Sequence, residues 1–243
     1  MLTTMLVHPP CLSVRARSRL HQAGKSTHGA FSLIELLAVI VVIAILASIL
    51  VGVISHVRKQ VDQVNGVGKL RHLMSAVMIY ASENQGRVPG PAARAQYAVL
   101  RKSEAQLPWL LRDYLDIPAD MEAGTPLSAI MPPRLHALYN PNNTAAYFAV
   151  NNIHVQPRPI KPWGTPDFDI KDWTTDDDIR PKRLDEIPDL SRYVALVDLD
   201  QQLQVAYYNV MVEPLYGDSR NAAYWDGHVE IVPLDYDISP DRY

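Results

Sequence analysis

Residues 31–54, FSLIELLAVIVVIAILASILVGVI, constrain this chain more than any other stretch. Their only charge is Glu35, and from Leu36 to Ile54 nineteen consecutive residues carry none. At about 1.5 Å per residue that run comes close to crossing a hydrocarbon layer of roughly 30 Å. No proline interrupts it, the nearest being Pro10 and Pro89. The stretch therefore reads as the membrane-spanning first half of one long helix. It divides the chain into a basic leader at 1–30, a spanning helix at 31–54, an amphipathic continuation at 55–86 and a soluble domain at 87–243.

Charge orients this plan. Arg15, Arg17, Arg19 and Lys25 make the leader +4, with no acid, while the remainder holds 19 basic and 26 acidic residues, or −7. Positive charge ahead of a spanning helix holds that side in the cytoplasm. Arg58 and Lys59 weaken this bias without reversing it, so the domain is expected outside the cytoplasm. A cleaved secretory signal would have an apolar region of only about 7–15 residues. The only cysteine is Cys11, so a chain without its leader has no disulfide and no thiolate metal ligand.

The segment Gly29-Ala30-Phe31-Ser32-Leu33-Ile34-Glu35 resembles the processing site of type IV prepilins and type II secretion pseudopilins. That resemblance implies removal of the leader by prepilin peptidase between Ala30 and Phe31, followed by methylation of the new Phe31 amine. The usual residue before the cut is Gly, and here it is Ala30. The resemblance also implies that Glu35 pairs with the first-residue amine of a neighbouring subunit. A carboxylate deep in lipid costs roughly 2.5–3.5 kcal/mol on insertion scales, so a partner amine would relieve a real penalty. The bland alternative is an acid in a first helical turn near the interface, favoured by the helix dipole.

Beyond Ile54 the pattern turns amphipathic. Val57, Val61 and Val64 make one stripe, and Val67, Leu70, Met74, Val77 and Ala81 continue it with a sideways slip around Gly66 and Gly68. The slip suits a helix that packs its own domain on one side of these glycines and neighbouring helices on the other. Gly86, with Pro89 beyond it, is the expected stop. Glycine at 52 weakens the helix by about 1 kcal/mol relative to Ala without the kink of a proline.

The rest reads as α+β, a long helix packed on a small antiparallel sheet in a pilin-like arrangement. Ala92–Ala105 has helical composition, and a short apolar helix follows Pro108. Strands are expected over 145–150, 193–198 and 203–208, the last two as neighbours. Residues 156–190, rich in proline and carrying Asp176-Asp177-Asp178, form an irregular loop. Ala222–Trp225, Asp226-Gly227 and His228–Val232 make a hairpin with a two-residue turn whose central positions favour positive φ.

A second resemblance lies in this last third, to a bacterial pseudopilin-like, prepilin-type processing-associated domain whose signature is a His, nine residues, then Asp-Gly. Asp226, Gly227 and His228 supply the turn, whose role is unassigned, and Tyr216 stands where the signature His would be. Asp226 and His228 form an acid–base pair on paper, but no nucleophile or phosphate loop accompanies them, so no enzyme is expected. Asp198, Asp200, Asp218 and Asp226 fall at strand ends and are the candidate calcium ligands, hard-cation sites being built from oxygens. No other cofactor is expected.

Together the resemblances imply a structural subunit of the bacterial inner membrane, with its leader in the cytoplasm and its domain in the periplasm. Its partners would be prepilin peptidase, other pilin or pseudopilin subunits and the inner-membrane assembly machinery. The product would be a homo- or heteropolymer, a type II secretion pseudopilus serving protein transport or a type IV pilus. The alternative is an uncleaved single-pass anchor bearing a periplasmic binding or enzymatic domain. A DNA-uptake role would need a basic face, against which the −7 balance weighs.

Overall fold

The structure, a computed structural model, describes residues 32–140, 146–150, 160–165, 179–203 and 210–238. Helix α1 runs unbroken over Leu33–Glu83, a length of about 77 Å at 1.5 Å per residue. It passes through Gly52 without interruption. Its end is where the sequence places it: Gln85 and Gly86 both take positive φ, and the Gly86 N–H bonds the Ala81 carbonyl at 2.8 Å.

The chain clusters into two units, residues 1–49 and 50–243. In the second unit, α1 buries a stripe of Gly66, Leu70, Leu73, Met74, Val77 and Ala81. These fall at steps of three and four, the period of one helix face. Each large member removed from water contributes about 1.5–3 kcal/mol. Val57, Val61 and Val64 stay about half exposed, so α1 is covered by its domain from Gly66 onward, and the change falls at the glycine slip.

Five strands form one antiparallel sheet in chain order: β1 (Ala95–Gln96), β2 (Phe148–Val150), β3 (Val194–Asp198), β4 (Ser219–Tyr224) and β5 (Val229–Pro233). Both sheet faces are covered. Phe148, Val150, Ala195, Ala223 and Trp225 face the larger cluster, which also holds the α1 stripe. Ala149, Val194, Val197, Ala222 and Tyr224 face a smaller one. Period-two alternation thus sorts β2 and β4 between two apolar layers. Two short helices, α2 (Leu107–Leu110) and α3 (Pro133–Leu138), lie between β1 and β2 in the chain.

Several expectations are corrected. The alanine-rich stretch 92–105 is not helical; it contains β1. Two glutamine side chains hold it open. Buried Gln96 bonds the carbonyls of Ala93 and Ala105 (the latter at 3.1 Å) and accepts the Leu107 N–H at 2.6 Å. Gln106 accepts the Tyr97 N–H and donates to the Ala95 carbonyl. These tertiary bonds satisfy the backbone groups that a helix would otherwise have paired. Both edges of β3 are occupied, by β2 and β4; of the strand expected over 203–208 as its neighbour, residues 204–208 lie outside the described residues.

The 156–190 stretch is not wholly a surface excursion. Trp163 is fully buried, with its ring centroid 4.6 Å from that of Trp225, and its indole N–H donates to the Ala195 carbonyl at 3.2 Å. Val88 N–H bonds Lys182 O and Leu184 N–H bonds Gly86 O, tying this stretch to the chain just after α1. Arg180 grips Glu186 through two bonds of 3.0 and 2.6 Å, holding that carboxyl down at about 2. Asp176, Asp177 and Asp178 lie outside the described residues.

Candidate functional site

The first region of functional interest is the start of α1. Leu33–Val51 has the length and composition to cross a membrane, and none of it is buried. Leu36, Leu37, Val39, Ile40, Val41, Val42 and Ile43, spread over two turns, are each 50–61 % exposed, so every face of the helix is uncovered. An apolar helix bare on all sides needs lipid or other helices around it. Ser32 caps this helix: its carbonyl accepts the Glu35 and Leu36 N–H groups at 3.0 and 3.2 Å. The Glu35 carboxylate folds back to accept the Ser32 N–H at 2.9 Å. It thus sits one residue from Phe31, which with Ala30 lies outside the described residues.

The second region is a buried polar cluster where α1 meets the sheet. Asp198, ending β3, is 3 % exposed and accepts the Asn221 N–H of β4 at 2.9 Å. Tyr147 and Tyr216 are its neighbours, and all three side chains are buried. An ideal Cβ on Gly66 of α1 would stand 2.0 Å from the Tyr216 hydroxyl oxygen and 2.7 Å from Asn221 Nδ2. Helix and sheet therefore approach here as only a glycine permits. The hydroxyls of Tyr147 and Tyr216, Asp198 Oδ1 and both amide atoms of Asn221 have no hydrogen-bond partner among the described residues.

Burial raises Asp198 from its ordinary 3.8 to about 7; the nearby Asp200 adds to the rise, while the Asn221 N–H and Arg220 oppose it. Burial likewise raises Tyr147 and Tyr216. Between about pH 4 and 7 the folded chain holds a proton on Asp198 that the unfolded chain has released. Stability from this group is therefore lost as pH rises through that window. Asp198→Asn keeps an acceptor for the Asn221 N–H and removes the titration. Relative to that variant, the native chain is expected to lose on the order of 2 kcal/mol between pH 5 and pH 8. Urea unfolding of both full chains in detergent checks this; equal slopes against pH would refute the assignment.

Next to this cluster Asp200, 1 % exposed, receives a two-pronged bond from Arg220 at 2.6 and 2.8 Å. Its Oδ1 also accepts the N–H groups of Gln202 and Leu203, and Arg220 reaches the Leu234 carbonyl at 2.9 Å. Asp218 is exposed and accepts the Ser219 hydroxyl at 3.3 Å. The aspartates that are candidate calcium ligands thus have different partners among the described residues. Among the described residues no three acidic, His or Cys side chains gather as a metal site.

The hairpin exists with a longer loop than expected. Tyr224 N–H bonds His228 O, and Gly227 N–H bonds Tyr224 O at 3.0 Å, with Gly227 alone at positive φ, +90°. That is a three-residue loop, a turn followed by a left-handed glycine. Asp226 accepts the His228 N–H at 3.1 Å and its Nδ1 at 2.5 Å, and the His228 ring stacks on Tyr224 at 4.1 Å. Both side chains are part-exposed and serve the turn.

Gly66, Tyr147, Asn221 and Arg220 escaped the sequence reading as site residues. The available signals were a glycine inside an apolar helical stripe and the Arg220-Asn221 pair opening an otherwise apolar strand.

Residues 25–51 match the family model described as the prokaryotic N-terminal methylation motif. The match takes in Ala30, Phe31 and Glu35 and supports a prepilin-type protein. Comparison with curated proteins and with solved structures returns no match.

Proposed function

We propose that this chain is a structural pilin- or pseudopilin-like subunit, made with a leader, cut before Phe31 by prepilin peptidase and methylated there. The mature helix would pack against helices of other subunits in an inner-membrane-assembled filament, a type II secretion pseudopilus or a type IV pilus, with residues 87–243 on the periplasmic side. The observation that carries this reading is a methylation motif over 25–51 placed on a helix whose whole spanning segment is uncovered. In a filament, helix–helix contact replaces lipid around that segment. Glu35, already folded toward the residue next to Phe31, would exchange its bond to Ser32 for the amine of a neighbouring subunit.

The folded domain then acts as a cap carried by the helix, and no catalytic step is assigned to it. On this reading its last third would be of the prepilin-type processing-associated kind, a resemblance that rests on Asp226-Gly227-His228; Tyr216, in place of the signature His, lies against Gly66 where α1 meets the sheet.

The N-terminal peptide mass of the native protein from the membrane fraction tests the proposal. The expected peptide starts at Phe31 and carries one added methyl group. A peptide starting at Met1 or Met5 would overturn it and favour the uncleaved anchor.

A further inference from the structure

Where the spanning segment ends, a groove of about 560 Å³ opens on the second unit, lined by Val51, Ile54, Arg58, Lys59, Asp62 and Arg134. Val51, Ile54 and Arg58 stand at i, i+3 and i+7, so they share one face of α1. The groove is graded along that face, from apolar walls at Val51 and Ile54 to basic ones at Arg58 and Lys59. Arg134 joins from α3, 76 residues beyond Arg58 in sequence, held by its Nε bond to the Leu215 carbonyl at 2.5 Å. Three cations and one carboxylate leave the groove at +2. Among the described residues, Arg58 and Lys59 have no hydrogen-bonding or ion-pairing partner of their own, Asp62 included.

We propose that this groove seats the phosphate of an anionic phospholipid headgroup, with the start of an acyl chain against Val51 and Ile54. Three arguments select that occupant. The first is depth. If the spanning segment Leu33–Val51 fills the hydrocarbon layer, the headgroup layer covers roughly the next 5–7 Å, or four to five residues of helix. Helical side chains lean toward the N-terminus, which carries the Arg58 guanidinium back into that layer. The second is charge: a phosphodiester supplies the single negative charge that the excess of cations lacks, in a form Arg binds with two parallel bonds. The third is the apolar floor, which a soluble anion would leave bare. The proposal rests on the membrane-anchored reading and adds a specific ligand to it.

The test uses the full chain purified in mild detergent with equal amounts of phosphatidylglycerol and phosphatidylcholine, and counts retained lipid by native mass spectrometry. The native chain is expected to retain one phosphatidylglycerol and to prefer it over phosphatidylcholine. Arg58→Gln with Lys59→Gln should cut that retention at least fivefold. Arg134→Gln should do the same, and the two-residue helix variant stands as evidence if loss of the Leu215 bond unsettles α3. Unchanged retention in the helix variant would overturn the proposal. So would displacement of the lipid by inorganic phosphate, which would mark a soluble-anion site, or retention seen only in dimers, which would mark a subunit contact. Carbonate washing of membranes carrying the same chains separates the two readings. A chain that washes out defeats the anchor, and one that stays with unchanged lipid counts defeats only the groove.

Discussion

Asp200→Ala is expected to lower the stability of the folded domain by about 3–5 kcal/mol, the usual cost of breaking a buried ion pair from one side. Both partners are almost entirely out of water, at 1 % exposure for Asp200 and 4 % for Arg220. Removing the carboxylate leaves the guanidinium, among the described residues, with only the Leu234 carbonyl. It also strips the acceptor from the Gln202 and Leu203 N–H groups, which bond Asp200 Oδ1 at 2.9 and 3.1 Å. The cost is thus that of an orphaned buried charge, not the net worth of the pair. Asp200→Ala combined with Arg220→Met should recover part of the loss, because an apolar replacement of the whole pair has no charge left to desolvate. Denaturant unfolding of the full chain in detergent measures both. A single-variant loss under about 1 kcal/mol, or a double variant less stable than the single, would contradict the assignment.

The same substitution two residues apart on α1 should have unequal effects. Gly68→Ala meets no atom within 4 Å and lies on an exposed face. It should gain up to about 1 kcal/mol, the helix-propensity difference. Gly66→Ala gains the same propensity, but its Cβ would fall 2.0 Å from the Tyr216 hydroxyl oxygen and 2.8 Å from Tyr216 Cζ. Tyr216 is 7 % exposed and has little room to move, so the helix must lift from the sheet. Overpacking of this kind costs about 1–3 kcal/mol, which offsets or exceeds the propensity gain and leaves the two variants about 1–3 kcal/mol apart. Adding Tyr216→Phe removes the nearest clashing atom and should return part of the loss. Thermal unfolding of the three chains is the measurement; equal shifts for Gly66→Ala and Gly68→Ala would show that the close approach carries no energy.

The elements legible in the sequence are those whose cause lies within a few residues. The uncharged run Leu36–Ile54 contains its own argument for a spanning helix. Gly86 stops α1 by its own backbone freedom, and Asp226-Gly227 closes the β4–β5 hairpin, although the loop has three residues instead of two. The Ala92–Ala105 stretch shows the opposite case. Its composition favours helix, yet Gln96 and Gln106 bond its backbone across nine and eleven residues and hold it extended. Propensity differences of tenths of a kcal/mol per residue yield to such buried bonds. The strand-end aspartates were visible as a group of acids, but their partners were not. Asp200 meets Arg220 20 residues away, and Asp198 meets Asn221 23 residues away.

By itself, then, the sequence determined a helix long and apolar enough to span a membrane, the methylation motif that overlaps it, the limits of the long helix and the α+β class. Each is set by composition or by neighbours along the chain, and helix periodicity and membrane thickness act on such runs directly. Tertiary structure alone decided which face Gly66 opens to Tyr216 and that burial raises Asp198. It also decided that Arg134 would stand beside Arg58 and Lys59. Those outcomes depend on desolvation and close packing between segments far apart in the chain. Both act only once the fold has brought the segments together.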